Sequence, residues 1–141
     1  MEFAAVILTP GDIDTGWRTV WQEARSEGYA GMLAVAWVVR NRLEYKAGDR
    51  WGTVAQVCLD WLQFSGWREQ DGNFLPAEKA VLDDNGLLCL RALLQAFTTG
   101  KSEDPTYGAR NYHAKEITPP WAVGHKPCVV IGRHLFYNDI A

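Results

Sequence analysis

Residues 20–42 read VWQEARSEGYAGMLAVAWVVRNR, and this stretch decides the fold of the chain. Apolar residues recur from Trp17 to Ala24 at spacings of three and four. This period is typical of an amphipathic helix, which Asp14 or Thr15 is placed to cap. The sequence therefore predicts a first helix with one apolar face.

Gly28 is expected to end the first helix. A second helix is predicted over residues 29–45, and its central part around Val35 to Val39 is apolar almost all round, which is typical of a buried, central helix. This pair of helices places one carboxylate, Glu23, near the end of the first. The pattern indicates a rigid mount for a single acid at the edge of a cleft.

The length, composition and charge of the chain limit the classes of protein to which it can belong. A chain of 141 residues with 48% apolar residues has the size of one domain, residues 1–141, with its own core. The net charge of −3 gives no electrostatic case for binding nucleic acid, and no segment is long enough to insert into a membrane. Seven tryptophans are many for this length, and exposed Trp and Tyr rings are platforms for sugars. We expect a monomer without a cofactor.

The cysteines and the N-terminus bear on localisation. Cys58 and Cys89 sit among apolar residues at helical spacing and are predicted to be buried thiols, with Cys128 outside any metal-binding spacing. This usage indicates synthesis in a reducing compartment. The first ten residues lack a basic region and carry an early acid, so no signal peptide is expected. Another factor, such as a holin, would deliver the protein to a substrate outside the cytoplasm.

Further along the chain, Thr53 is expected to cap a third helix over residues 54–61, and a fourth is predicted over residues 85–98. From Asp104 onward prolines and glycines divide short runs at residues 111–114 and 128–131. These runs indicate loops and a short hairpin packed on a helical body. The predicted class is mainly α, or α+β, with a small irregular or hairpin-containing C-terminal part.

Six ordered blocks of sequence carry a resemblance to a known family. They are WQEARSEG, GMLAVA and VRNR within residues 21–42; QFS at 63–65; DPT with GA within 104–109; YHA at 112–114; PWA at 120–122; and IGRHLFY at 131–137. The chain resembles the SleB/CwlJ cell-wall hydrolase family over essentially everything after Thr15. Ser26 departs from the family's usual glycine.

The resemblance implies a lysozyme-like fold, similar to lytic transglycosylases, acting on peptidoglycan glycan strands. The implied reaction cleaves the β-1,4 bond between N-acetylmuramic acid and N-acetylglucosamine, and the family's catalytic glutamate maps onto Glu23. A free-standing lytic domain of this size looks like a phage endolysin.

The chemistry of Glu23 follows from its role as an acid. A general acid must hold its proton at neutral pH, which partial burial against apolar rings favours, and Trp17, Trp21 or Trp37 could form that wall. Glu27 lies one helical turn further on. It is either a second carboxylate, as in glycosidases with two acids, or a structural acceptor for Arg25, Arg40 or a backbone N–H.

The rest of the sequence offers no convincing second acid, and Asp104 before Pro105 indicates a turn. With one acid, the C6 hydroxyl of muramic acid can attack the anomeric carbon itself, while Glu23 acts first as acid and then as base. We therefore expect a lytic transglycosylase that leaves 1,6-anhydromuramoyl ends. A hydrolytic muramidase acting on the same bond is the alternative.

Five further residues are candidates for substrate binding. Gln63 and Ser65 follow a helix end, where they either bind the N-acetyl group, orient Glu23 or cap the loop. Tyr112 is a hydrogen-bond donor to the sugar or to Glu23. Trp121 stacks on a sugar face or closes the core, and Tyr137 packs structurally or reaches the cleft by its hydroxyl.

Adjacent residues of a strand point in opposite directions, so at most one of Tyr112 and His113 faces the cleft, and His113 is expected to be a structural hydrogen bonder. Two other classes of function compete. One is a non-catalytic glycan-binding module; the other is a zinc amidase that uses His113, His125 and His134. Because no acid or cysteine falls at ligand spacing around these histidines, we expect no metal site.

Overall fold

The computed structural model describes residues 8–45, 53–59 and 79–140. Helix α1 spans Pro10–Ala24. Its N-cap is Thr9, whose hydroxyl accepts the Asp12 N–H while the Asp12 carboxylate accepts the Thr9 N–H, both at 3.1 Å. The prediction that Asp14 or Thr15 caps this helix is wrong, because the reciprocal cap and the proline at the first helical position start it earlier.

Helix α2 spans Gly28–Glu44, one residue earlier at each end than predicted. Gly28 has φ of +77°, a left-handed conformation that glycine adopts without strain, so it makes the corner between the two helices. The residues from Ala34 to Val39 are fully buried. The predicted central, buried helix is confirmed, and it packs against all the other described helices and against the sheet.

Two further helices complete the described helical body. Helix α3 spans Val54–Leu59, as far as the described residues extend, and its Ala55 N–H donates to the buried Asp12 of α1. Helix α4 spans Asp84–Thr98 and is capped by the Asp83 carboxylate. Their apolar faces meet α1 and α2 in one core that includes Val20, Val35, Val57 and Leu93.

The C-terminal part is a three-stranded antiparallel sheet. Strands β1, β2 and β3 span Asn111–Ala114, Val129–Ile131 and His134–Tyr137, in the order β1-β3-β2. Phe136 of β3 packs on Ala34 and Val38 of α2. The predicted mainly α class with a small β-containing C-terminal part is confirmed, and the predicted hairpin is β2–β3 with β1 added at its edge.

The cysteines are free thiols. Cys58 and Cys89 are buried as predicted, and burial raises the pKa of Cys58 to about 12 and that of Cys89 to about 11. Both therefore stay protonated and unreactive at neutral pH. Within the described ranges, no helix combines the length and the apolar character needed to cross a bilayer.

Candidate active site

Glu23 lies in the last turn of α1, and its backbone is held firmly. The helix ends at Arg25, whose N–H donates to Trp21 O at 3.0 Å and whose carbonyl accepts from the Asn85 side-chain amide at 3.2 Å. The Arg25 guanidinium stacks 4.2 Å above the Trp21 ring. These contacts fix the end of α1 against α4, which leaves a half-buried Glu23 carboxylate in a defined place.

Tyr112 of β1 donates its hydroxyl to Oε1 of Glu23 in a short hydrogen bond. The Tyr112 ring is held by Phe136 and His134, with ring centroids 5.4 and 4.9 Å away. Burial, followed by the negative charge of Glu23, raises the pKa of Tyr112 well above 10. The phenol therefore remains a neutral donor to the carboxylate throughout the neutral pH range.

Gln22 is the residue that the sequence analysis missed at this site. It is 7% exposed, and its side-chain amide nitrogen lies 3.5 Å from Oε2 of Glu23. The side chains of adjacent helix residues point about 100° apart, so helix geometry alone does not predict that Gln22 contacts Glu23. The one signal in the sequence was that the two residues are neighbours. Each oxygen of the Glu23 carboxylate thus faces a donor.

A buried cation lies behind this pair. Arg42 of α2 is 5% exposed, and its Nε donates to Arg110 O at 2.6 Å. Its positive charge acts on Tyr112 and on Cys58 of α3, in each case opposing the effect of burial on the pKa. The negative charge of Glu23 adds to the effect of burial in raising the pKa of Cys58.

The expected tryptophan wall is not what the structure places beside Glu23. Residues two apart on a helix lie on nearly opposite sides, so Trp21 faces away from Glu23 and carries Arg25 instead. Trp17 belongs to the core, and Trp37 is fully buried under Arg40. Among the described residues, the aromatic side chain that donates to Glu23 is Tyr112.

Glu27 ties the corner between α1 and α2 to the sheet. Its Oε1 accepts the Arg133 backbone N–H at 2.9 Å, in the turn between β2 and β3. Gly132, in the same turn, has φ of +58°, and a Cβ there would lie 2.7 Å from that oxygen. Of the donors predicted for Glu27, which were Arg25, Arg40 or a backbone N–H, the structure has the last, a backbone N–H from the sheet.

His134 lies between Glu27 and Tyr112. The imidazole is 9% exposed, and burial lowers its pKa below the ordinary 6.5, although the charge of Glu27 opposes the shift. The folded protein therefore keeps His134 neutral where the unfolded chain takes up a proton. Its contribution to stability is present above pH 6.5 and is lost as the pH falls through the folded-state pKa.

Three predicted residues lie together on the other face of the sheet. The strand register places His113 and Tyr137 opposite to Tyr112. His113 Nε2 lies 2.9 Å from the Tyr137 hydroxyl, and the Trp121 ring meets both side chains edge-on. The structure thus brings Tyr112, but neither Trp121 nor Tyr137, to Glu23, and the sugar-binding roles of Trp121 and Tyr137 stay predictions.

The remaining candidates are separate from Glu23 or outside the described residues. Gln63 and Ser65 lie outside the described ranges. His125 pairs with Asp139 at 3.6 Å, whereas His113 and His134 lie on opposite faces of the sheet. In the parts of the chain that the structure describes, no three histidine, cysteine or acidic side chains are grouped to hold a metal ion.

The contact between Tyr112 and Glu23 makes a direct prediction. Tyr112→Phe removes the donor to Oε1 and keeps the packing against Phe136, so we expect about a tenfold loss of kcat with an unchanged melting temperature. Cleavage of purified cell-wall sacculi, the substrate that the family resemblance implies, is measured beside thermal unfolding to check this. Full activity in the variant would show that the hydrogen bond has no catalytic use.

Solved structures with the same architecture define the class. The catalytic domain of the Bacillus cereus SleB protein matches with a TM-score of 0.73 at 24% identity, covering 96% of this chain and 97% of that one. The catalytic domain of the germination-specific lytic transglycosylase SleB from Bacillus anthracis matches with a TM-score of 0.66 at 24% identity, covering 91% and 94%. The fold is therefore the lysozyme-like one that the sequence predicted.

Sequence comparison then gives the family. Residues 26–137 match the cell wall hydrolase family. A spore cortex-lytic enzyme from Halalkalibacterium halodurans is 30% identical over 128 residues, which cover 90% of this chain and 34% of that protein. The chain belongs to the cell wall hydrolase family. The predicted family is confirmed; the family match begins three positions after Glu23.

The chain spans about a third of the length of this curated relative.

Proposed function

We propose that the protein is a peptidoglycan glycosidase that cleaves the β-1,4 bond between N-acetylmuramic acid and N-acetylglucosamine as a lytic transglycosylase. The observation that carries the proposal is the half-buried Glu23 carboxylate, held by the Tyr112 hydroxyl at the end of α1. The lytic transglycosylase named in one of the matching structures supports the reaction type.

The first step is general acid catalysis by Glu23. Protonated Glu23 gives its proton to the glycosidic oxygen, the bond from the anomeric carbon to that oxygen breaks, and N-acetylglucosamine leaves with a free hydroxyl. Tyr112 occupies Oε1. We assign the proton exchange with the substrate to Oε2, the oxygen that does not accept from the phenol.

The second step closes a ring in the muramic acid. Its C6 hydroxyl attacks the cationic anomeric carbon, and the Glu23 carboxylate takes the hydroxyl proton, which restores the starting acid. No water is consumed, and the product carries a 1,6-anhydro end. One residue serves as acid and base because the two proton transfers follow each other at the same place.

The position of Glu27 favours this reaction over hydrolysis. A muramidase of the two-carboxylate kind needs a second acid, as nucleophile or to activate water. Glu27 is the sequence neighbour best placed for that role, but one of its oxygens is occupied by the Arg133 N–H. We propose that Glu27 is structural and that Glu23 serves as both acid and base.

Analysis of the products tests the proposal. Purified sacculi are digested and the released muropeptides are measured by mass spectrometry. We expect fragments lighter by one water than the hydrolytic products, with anhydro ends, and an activity that resists EDTA. Reducing ends would instead establish a muramidase, EDTA-sensitive cleavage of stem peptides a zinc amidase, and sedimentation with sacculi without cleavage a glycan-binding module.

We further propose that the protein acts as a monomer in lysis of the phage-endolysin kind. Size-exclusion chromatography with light scattering tests the oligomeric state. Expression in bacteria with and without a holin tests the lytic role, with lysis expected only when the holin opens a route to the wall.

A further inference from the structure

Gln22 is a buried polar side chain whose presence the fold does not explain. It is 7% exposed in the last turn of α1. Its Nε2 lies 3.5 Å from Oε2 of Glu23, and its Oε1 has no hydrogen-bond partner among the described residues. A buried amide with an unsatisfied oxygen disfavours the folded state. A methionine of similar length would fill the same space without that penalty.

The Glu23 carboxylate needs more than one contact to be held in a fixed plane. The last torsion of a glutamate has a broad, twofold distribution, so each donor that contacts the carboxylate restricts its rotation. Tyr112 fixes Oε1, and Gln22 faces the other oxygen. Together the two donors define both the position and the plane of the group.

We propose that Gln22 is a positioning residue for Glu23: its side-chain N–H faces Oε2, orients the carboxylate and favours its ionised form. The inference rests on the proposed role of Glu23 as the acid and base. Gln22 contacts Glu23 rather than substrate, so it acts through the orientation and the protonation of that residue.

Other charged and titratable groups also face this site, from every element packed against it. Tyr112 and Cys58 keep their protons at neutral pH, because burial raises the pKa of each. His134 stays neutral because burial lowers its pKa. A substitution at Gln22 leaves all of them in place: Tyr112 of β1, His134 of β3, Cys58 of α3, Arg42 of α2, and Glu27 at the corner between α1 and α2.

The test is the pH dependence of Gln22→Met. Glu23 must be protonated to start the reaction, so kcat falls at high pH as Glu23 ionises. Loss of a donor to the carboxylate favours the protonated form, and we expect this alkaline limb to move up by about half a pH unit. We also expect kcat at the optimum to fall about tenfold, with KM unchanged, because the carboxylate is less well oriented.

Thermal unfolding separates positioning from a structural role. Because Gln22→Met removes a half-satisfied buried amide, we expect an unchanged or higher melting temperature. The matched control is Asn85→Ala, which removes the amide that holds Arg25 O at the same helix end. We expect this control to lower the melting temperature and to leave the alkaline limb where it is.

A second variant keeps the inference open to refutation. In Gln22→Glu a second acid faces Glu23, and we expect the limb to move up further than in Gln22→Met. An unmoved or lowered limb in both variants, or an equal shift in Asn85→Ala, would overturn the inference. Wild-type protein with no lytic activity, or active Glu23→Gln, would instead overturn the proposed function, so the two failures are distinguishable.

Discussion

Glu23→Gln is expected to reduce cleavage of sacculi by at least about a thousandfold. The amide cannot give a proton to the glycosidic oxygen or take one from the C6 hydroxyl, so both steps of the proposed reaction fail. The change keeps the size of the side chain and an oxygen that accepts from Tyr112, and the fold should persist. Release of soluble muropeptides measures the loss, with circular dichroism and thermal unfolding as measures of folding.

Asp14→Asn is the matched control. Asp14 is an exposed acid on the same helix, and it pairs with Arg18 at 3.1 Å on the surface. Removing its charge alters α1 as Glu23→Gln does, without touching the site, so we expect full activity. A Glu23→Gln protein that retained a tenth of the wild-type rate would show that another group supplies the proton.

The fold was predictable because its main signals are local. The apolar run of α2 can only be buried, and the prolines and glycines after Asp104 exclude long helices there. The predicted turn at Asp104 is also present, with its carboxylate accepting from Thr106 and Gly108 N–H groups at 2.8 and 2.9 Å. The start of α1 was missed because its cap, Thr9, precedes the apolar period that marked the helix.

Buried charge was the least predictable part of the core. Arg40 is fully buried, and its guanidinium donates to Ala96 O and Thr99 O at 2.7 and 2.6 Å at the end of α4. These acceptors lie 56 and 59 residues away in the chain. Composition and periodicity place an arginine at the surface, and only the packed fold supplies partners for it inside.

The candidate site, like the fold, has some features that the sequence predicts and others that it does not. The family resemblance singled out Glu23, and strand alternation separated Tyr112 from His113. The contact of Glu27 with Arg133 joins residues 106 apart, and no local pattern encodes it. The prediction of a tryptophan wall beside Glu23 was wrong. The 100° step between helix residues turns Trp21 away from Glu23, and this could have been worked out from the sequence.

The role of Glu27 gives the second large effect. Glu27→Ala removes the acceptor for the Arg133 N–H, which frees the turn between β2 and β3 from the corner of α1 and α2. This sheet carries Tyr112 to Glu23, and a shift of about 1 Å at a catalytic group costs up to about a hundredfold in rate. We therefore expect kcat to fall about a hundredfold and the free energy of unfolding by about 0.5–1.5 kcal/mol, the net range for a typical hydrogen bond, because this one is exposed.

Glu27→Gln decides between the structural and the catalytic role. The glutamine carbonyl oxygen can still accept the Arg133 N–H, so a tether survives this change and kcat should stay within about threefold of wild type. A second catalytic carboxylate would not survive it, because an amide neither attacks the anomeric carbon nor activates water. If Glu27→Gln were as inactive as Glu23→Gln, the two acids would act together. The enzyme would then be a two-carboxylate muramidase, with reducing ends on its products.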